Sequence, residues 1–218
     1  LNISINPIFL GFLNNINHYA LSVSETDSIS FSNSDLKFIH IRDAGALLAL
    51  EDSAIAGYAR MQMNWHNRHQ FCSVCGSSTI MTRAGQVRKC TQCPIEHFPR
   101  TDPVIIVIVH DGERCLLGQS RGRLQNTNTY SALAGFVDQG ESIEEAVARE
   151  VMEEAGILVK NVKYHSSQPW PLPYSLMIGC HAEAASTTIN MDPEEMTDVK
   201  WFTRQEVIKS LEGNSDIL

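Results

Sequence analysis

No apolar run in this chain of 218 residues is long enough to cross a bilayer. The unbroken stretch Val104–Val109 is far too short and reads as a buried strand. The opening Leu-Asn-Ile-Ser-Ile-Asn-Pro has no basic n-region and no small-residue cleavage site, so no secretory signal is visible. Residue 1 is Leu rather than Met, which leaves room for residues upstream. No membrane contact is expected. The location expected is intracellular, cytoplasmic in the simplest case, with peroxisome or another organelle open. Positive charge is scarce: 17 Lys and Arg stand against 25 Asp and Glu, a formal charge of −8. That balance excludes broad adhesion to nucleic acid, which needs clustered cations on the phosphates, but allows a pocket that reads only an RNA end. No internal repeat or low-complexity tract appears. The hydrophobic fraction of 43% is ordinary for a globular protein, and the length suits one large or two small domains.

Cysteine is sparse but placed with purpose. Four of the six form two C-x-x-C knuckles, Cys72-Ser-Val-Cys75 and Cys90-Thr-Gln-Cys93, with fourteen residues between them. This is close to the spacing of a zinc ribbon, because short C-x-x-C turns let both sulfurs of a pair converge on a tetrahedral Zn²⁺. Two disulfides in a secreted domain are the alternative, disfavoured by the missing signal and by two further single cysteines. Cys115 and Cys180 lie in apolar, strand-like contexts and read as small buried hydrophobes. His66 and His69 precede the first knuckle, but four thiolates already satisfy zinc, so both read as packing or surface residues.

Residues 1–70 read as a small α+β unit, 71–100 as the ribbon and 101–218 as a third domain. In the first, Leu36–Ile41 alternates like a strand. Asp52 or Ser53 can cap a helix with Ile55, Tyr58, Ala59 and Trp65 at helical spacing. Ser22–Asp35, rich in Ser, Asp and Asn, reads as a loop. In the third, Val104–His110 and Cys115–Gly118 flank a His-Asp-Gly-Glu turn and predict a hairpin. Further strands are expected at Tyr130–Phe136, Val162–His165, Ser175–Ala184 and Val199–Phe202, with Thr203-Arg-Gln-Glu206 as a capping box.

Between Gly135 and Ile157 the chain reads GFVDQGESIEEAVAREVMEEAGI. Ser142 with Glu145 predicts a capping box that starts a helix after Gly140, and Gly156 predicts its end. Glu150, Glu153 and Glu154 then stand at i, i+3 and i+4, three carboxylates on one face whose crowding only a cation makes favourable. Ile143, Val147 and Val151 lie on a different, apolar face suited to packing on a sheet. A solvated Glu-rich helix would need neither the three glycines nor Arg149 at these offsets.

The segment matches the pattern G-x5-E-x7-R-E-U-x-E-E-x-G-U, with U apolar, at every specified position, and so resembles the Nudix box. The resemblance implies an α/β/α sandwich for 101–218, an α+β fold class overall, and cleavage of a diphosphate linked to a nucleoside. Downstream, Ser167-Gln-Pro-Trp-Pro-Leu-Pro-Tyr-Ser175 looks like the SQPWPFPxS signature of the NADH pyrophosphatase subfamily, and the ribbon and Phe98-Pro-Arg-Thr-Asp-Pro103 are further marks. Three prolines make this segment a rigid extended wall for a flat heteroaromatic group. Two departures stand out. Leu172 replaces the usual Phe, and the chain stops at Leu218, where related proteins continue with another helix of the nucleotide pocket, so weakened affinity is expected.

That resemblance implies hydrolysis of NAD(H) to nicotinamide mononucleotide and AMP, with NAD caps of RNA as a further substrate. Mg²⁺ or Mn²⁺ is the implied catalytic ion, with a structural Zn²⁺ on Cys72, Cys75, Cys90 and Cys93. By the same resemblance Glu150 and Glu154 are the main helix ligands, Glu195 adds one from a loop, and the Ala134 carbonyl completes the site. Arg149 is expected to orient a box carboxylate, and Glu153 to hold metal or take a proton from attacking water. Substrate contacts are expected at Phe98, Phe136, Gln168, Pro169, Trp170, Pro171, Leu172, Pro173, Tyr174 and Ser175, with Phe136 and Trp170 stacking. A homodimer is implied. The rival readings are a Nudix hydrolase of ADP-ribose or dinucleoside polyphosphates, and a catalytically weak zinc-ribbon binding module.

Overall fold

The protein is described from a computed structural model, over residues 7–23, 38–122, 124, 125, 127 and 129–212. The chain divides into two compact units: Leu1–Thr101 with Pro169–Tyr174, and Asp102–Gln168 with Ser175–Leu218.

The first unit opens with an antiparallel hairpin of β1 (Ile8–Leu13) and β2 (Ile16–Ala20). Asn14 and Asn15 turn it with φ of 51° and 62°, the pair of positive φ values that matches the twist of flanking strands. Helices α1 (Ile41–Leu47) and α2 (Leu50–Arg68) follow, and α2 packs on both strands of the hairpin. The ribbon is a three-stranded antiparallel sheet, β3 (Thr79–Thr82), β4 (Val87–Cys90) and β5 (Glu96–His97). It is docked on the hairpin at Gly85, where a Cβ would lie 2.8 Å from Ile8 Cγ2.

Three expectations for this unit are corrected. Phe38–His40 is not strand and Ile41 already begins α1, because the His40 ring accepts from the Arg42 N–H and caps that helix; Leu36 and Lys37 lie outside the described residues. Helix α2 starts at Leu50 after an Ala49 cap without side-chain hydrogen bond, so Asp52 and Ser53 sit in its first turn. Most of the Ser22–Asp35 loop lies outside the described residues.

The second unit is built on β6 (Asp102–His110), whose apolar run is explained by neighbours on both edges. One edge pairs in parallel with β10 (Ser175–Ala184), and the other is shared by β7 (Arg114–Ser120) and β8 (Leu133–Phe136), both antiparallel. Outer strands β9 (Val159–Trp170) and β11 (Met196–Thr203) complete the order β11-β7-β6-β10-β9. Helix α3 (Ile143–Ala155) lays Ala146, Val147, Val151 and Ala155, all fully buried, over Ile105, Val107 and Val109. Helix α4 (Arg204–Leu211) packs on β11 behind the expected Thr203–Glu206 capping box. The α+β class and the sandwich of helices on a mixed sheet hold.

The predicted 104–118 hairpin is present, while two strand boundaries move. Ladder pairing of β8 begins at Leu133 rather than Tyr130, whose hydroxyl is tied to Asp198 and Lys200 on β11. Strand β9 extends from Val159 through Trp170, so the first part of the segment read as rigid and extended is strand. Cys180 is buried but Cys115 only partly. Among the described residues no helix is long and apolar enough to cross a membrane.

Candidate active site and zinc site

The ribbon brings its four cysteines together. Their Sγ atoms all lie within 4.8 Å of one another, with Cys72–Cys93 at 3.7 Å, Cys75–Cys90 at 3.5 Å and Cys75–Cys93 at 3.7 Å. A tetrahedron with Zn–S bonds of about 2.3 Å has edges of about 3.8 Å, so the cage already has the dimensions of a tetrathiolate zinc site. Backbone N–H groups of Val74, Gln92 and Cys93 point at the sulfurs at 3.3–3.4 Å. Hydrogen bonds from Ser77 hold the Cys75 thiol down at about 6, and those from Cys93 and Gln92 lower Cys90. At Cys93 a backbone hydrogen bond from Ile95 is outweighed by desolvation and the neighbouring sulfurs, which push it up to about 12. His66 and His69 stay outside the cage: the first contacts the Gly85 carbonyl at 2.8 Å, the second the Trp65 carbonyl at 2.8 Å.

The carboxylates of the second unit converge where β8 hands over to α3. The capping box forms as expected, Glu145 N–H donating to Ser142 Oγ at 3.2 Å and Ser142 N–H to Glu145 Oε2 at 2.8 Å. Gly156 ends the helix at φ 68°. Gly135 has a different reason to be glycine: a Cβ there would lie 1.9 Å from Glu150 Cδ, so only a bare backbone lets that carboxylate lie against β8.

Arg149 organises the cluster. Its Nε and Nη2 grip both oxygens of Glu141 at 2.6 and 2.9 Å, and Nη2 also donates to the Phe136 carbonyl at 2.9 Å. Its Nη1 donates to Glu150 Oε1 and Glu153 Oε2, each at 2.9 Å. All five N–H bonds are thereby in use. Glu141, held down to about 2 by Arg149 and the Asp138 N–H, was not singled out from the sequence, although it is the first fixed glutamate of the box pattern.

Glu154 is left over. It is buried, and its Oε2 has no hydrogen-bond partner. Desolvation, then the charges of Glu150 and Glu195, push its carboxyl up to about 8 against a backbone hydrogen bond from Ala134, with Glu153 adding to the rise. Glu150 is also raised, first by burial, with Arg149 opposing and Glu153 and Glu195 reinforcing. Ala134 thus reaches Glu154 by a backbone hydrogen bond, and Glu150, Glu153 and Glu195 through their charges; Glu195 lies in the turn before β11, where its carbonyl accepts from the Arg121 N–H at 2.7 Å. A buried, unpartnered carboxylate oxygen among other carboxylates fits a hard divalent cation, which takes oxygen ligands.

The expected substrate residues divide. Phe136 is exposed beside the carboxylates, and Gln168 and Ser175 belong to the same unit. Phe98 and Pro169–Tyr174 belong to the first unit, where Pro171 packs over Gly57 of α2 and Arg100 lies over the Tyr174 ring at 5.5 Å. Trp170 is part-exposed and Tyr174 buried.

Two outcomes are expected. Elemental analysis should find one zinc per chain, and Cys72→Ser should give unstable or insoluble protein, since structural zinc contributes roughly 10–16 kcal/mol of apparent binding energy; zinc-free, well-folded wild type would overturn the assignment. In protein freed of Mg²⁺ and Mn²⁺, the folded state holds the Glu154 proton more tightly than the unfolded chain does. Stability should then fall as pH rises from the ordinary carboxylate value of 4.5 to about 8. Glu154→Gln should flatten that fall in thermal melts, as should added Mg²⁺; a variant as pH-sensitive as wild type would refute it.

Family models match residues 4–65 as the NADH pyrophosphatase-like rudimentary NUDIX domain, 67–98 as the NADH pyrophosphatase zinc ribbon domain and 99–217 as the NUDIX domain. The NAD-capped RNA hydrolase NUDT12 of Macaca fascicularis is 44% identical over 76% of this chain and 38% of its own length. Nudix hydrolase 19, chloroplastic, of Arabidopsis thaliana is 41% identical over 89% of this chain and 48% of its own. The chain thus spans less than half the length of either relative. A crystal structure of a Nudix hydrolase from Nitrosomonas europaea shares the fold, with a TM-score of 0.56 at 21% identity over 68% of this chain and 82% of that one. With box, ribbon and rudimentary N-terminal domain matched in chain order, this chain belongs to the Nudix hydrolases, in their NADH pyrophosphatase branch.

Proposed function

We propose that this chain is a divalent-cation-dependent hydrolase that cleaves the diphosphate of NAD(H) into nicotinamide mononucleotide and AMP. The observation that carries the reading is the buried Glu154 oxygen without a partner, set among Glu150, Glu153 and Glu195. A binding module that had lost turnover would have no reason to keep so unfavourable a group. Glu150, Glu154 and Glu195, with the Ala134 carbonyl, are the residues that would hold Mg²⁺ or Mn²⁺. When bound, such an ion neutralises diphosphate oxygens and polarises water. Arg149 fixes the carboxylates of Glu150 and Glu153 in place, and Glu153 is the candidate to accept the proton of the attacking water. The exposed Phe136 offers a ring face for a base beside the carboxylates, and Gln168 and Ser175 of the same unit are candidates for further substrate contacts. Zinc stays structural, because four thiolates leave no open position.

A second substrate, the NAD cap of RNA, is favoured by the name of the NUDT12 relative. The charge of −8 limits any RNA contact to the terminal nucleotides. The domain division near residues 70 and 100 is supported by the matched spans. Six free cysteines fit a reducing, intracellular compartment. A homodimer is the assembly expected of this branch, and the exposed Phe12, Ile16, Tyr19, Leu47 and Leu50 of the first unit are candidates for its interface.

NADH with Mg²⁺ or Mn²⁺ should yield AMP, and chelated protein none. Glu154→Gln should lose on the order of 10²-fold or more in turnover, the scale of removing a key electrostatic group from a transition state. A variant within twofold of wild type would show the ion to be held elsewhere. Specific activity should fall on dilution together with the dimer peak in light scattering. A monomer with undiminished activity would remove the dimer from the proposal.

A further inference from the structure

The first unit contains a cleft that the diphosphate chemistry does not use. It has a volume of about 450 Å³, within the range of small-molecule sites, and lies between α2, the first hairpin and strands β3 and β4 of the ribbon. Its polar floor is Arg88 with Thr79 and His66. Ile8, Met63 and Met81 form apolar walls, and Asn67 and Gln70 stand at the rim. No Asp or Glu lines it.

Arg88 is half-buried and firmly placed. Its Nε donates to Thr79 Oγ1 at 2.7 Å, Nη2 to the Thr79 carbonyl at 2.8 Å, and Nη1 meets His66 Nδ1 at 3.1 Å. With Nδ1 accepting from Arg88, the other ring nitrogen of His66 donates to the Gly85 carbonyl at 2.8 Å, so the ring is neutral. Thr79 is fixed in turn, its hydroxyl donating to the His69 carbonyl at 2.9 Å. These partners orient the guanidinium but carry no charge. Among the described residues no carboxylate pairs with Arg88, although acidic groups outnumber basic ones in the chain. None of its hydrogen bonds goes to a cysteine sulfur. Two of its five N–H bonds remain for a ligand, at the floor of a cleft with thioether and aliphatic walls.

We propose that this cleft is a second ligand site, for a small phosphate monoester carried on an apolar or aromatic body, with Arg88 holding the phosphate. The anion supplies the charge that the surroundings of Arg88 lack, and a guanidinium is the side chain best matched to two phosphate oxygens. The rim amides of Asn67 and Gln70 offer further donors, which a phosphate with three terminal oxygens uses better than a carboxylate does. The methionines suit a flat apolar group whose outline is not tightly prescribed. The site is independent of the carboxylate cluster and of the reaction proposed for it.

The test is calorimetric titration of zinc-loaded full chain with phenyl phosphate, without Mg²⁺ or Mn²⁺ so that the carboxylate cluster repels the probe. A dissociation constant on the order of 10⁻⁴ M is expected. Phenol, inorganic phosphate and benzoate should each bind at least tenfold more weakly. Gln70→Glu, at an exposed position, places a negative charge at the rim; it should weaken phenyl phosphate at least tenfold while leaving the melting temperature and NADH turnover unchanged. Arg88→Gln should abolish binding, and if that variant does not fold, Gln70→Glu decides. No heat at 10 mM phenyl phosphate, equal binding by wild type and Gln70→Glu, or benzoate or phenol binding as tightly as phenyl phosphate would each overturn the proposal.

Discussion

Arg149 has five N–H bonds and all of them are taken, by Glu141, Glu150, Glu153 and the Phe136 carbonyl. This saturation governs the second unit. A guanidinium so engaged locks the loop after β8 to the face of α3, and at the same time has nothing left for Glu154. One turn along the helix, Glu154 therefore meets the charge of Glu150 with no cation among the described residues paired to Glu154 itself. Without a metal that carboxyl keeps its proton up to about pH 8, and a divalent cation that takes oxygen ligands is the partner proposed to displace it. The same logic requires glycine at 135: any side chain there would evict the Glu150 carboxylate from its seat on β8. Local strand, tight turn and capped helix thus exist in a geometry that leaves a defined electrostatic deficit.

How much of this was legible in the sequence depends on whether the cause was local. The α3 capping box, its Gly156 stop and the Thr203–Glu206 cap involve residues within a few positions of one another, and all form as expected. The cysteine knuckles were legible because metal geometry restricts spacing. Strand β6 was legible as an apolar run, since both its edges are paired and one face carries the fully buried Ile105, Val107 and Val109. Leu36–Ile41 misled because alternation alone does not distinguish a strand from a segment that caps a helix with His40. Glu141 was in plain sight as a fixed letter of the box, but its partner is eight residues away, beyond the reach of a helical i, i+4 argument.

The Pro-rich segment shows a different limit. It follows directly from β9 and leads directly into β10, both strands of the second unit, and so reads as part of that domain. Yet Pro169–Tyr174 groups with the first unit, through Pro171 over Gly57 and the Arg100 guanidinium over the buried Tyr174. Prolines that stiffen a segment fix its own shape but say nothing about which surface it lies on. Tyr174, read from the sequence as a substrate contact, is 4% exposed and packed, whereas Trp170 stays 40% exposed.

The zinc cage and the Arg88 cleft are linked by one pair of strands. Thr79 pairs with Cys90 across β3 and β4, and Arg88 lies two residues before that cysteine, on the same strand. A metal that holds Cys90 to the other three sulfurs therefore also holds the register that puts the Thr79 hydroxyl and carbonyl opposite the Arg88 fork. A slip of one residue would turn Arg88 to the other face of the sheet and leave Thr79 facing the wrong neighbour. Two short strands of four residues could not resist such a slip by their own hydrogen bonds. The structural zinc thus fixes the position of an arginine with which no carboxylate among the described residues pairs.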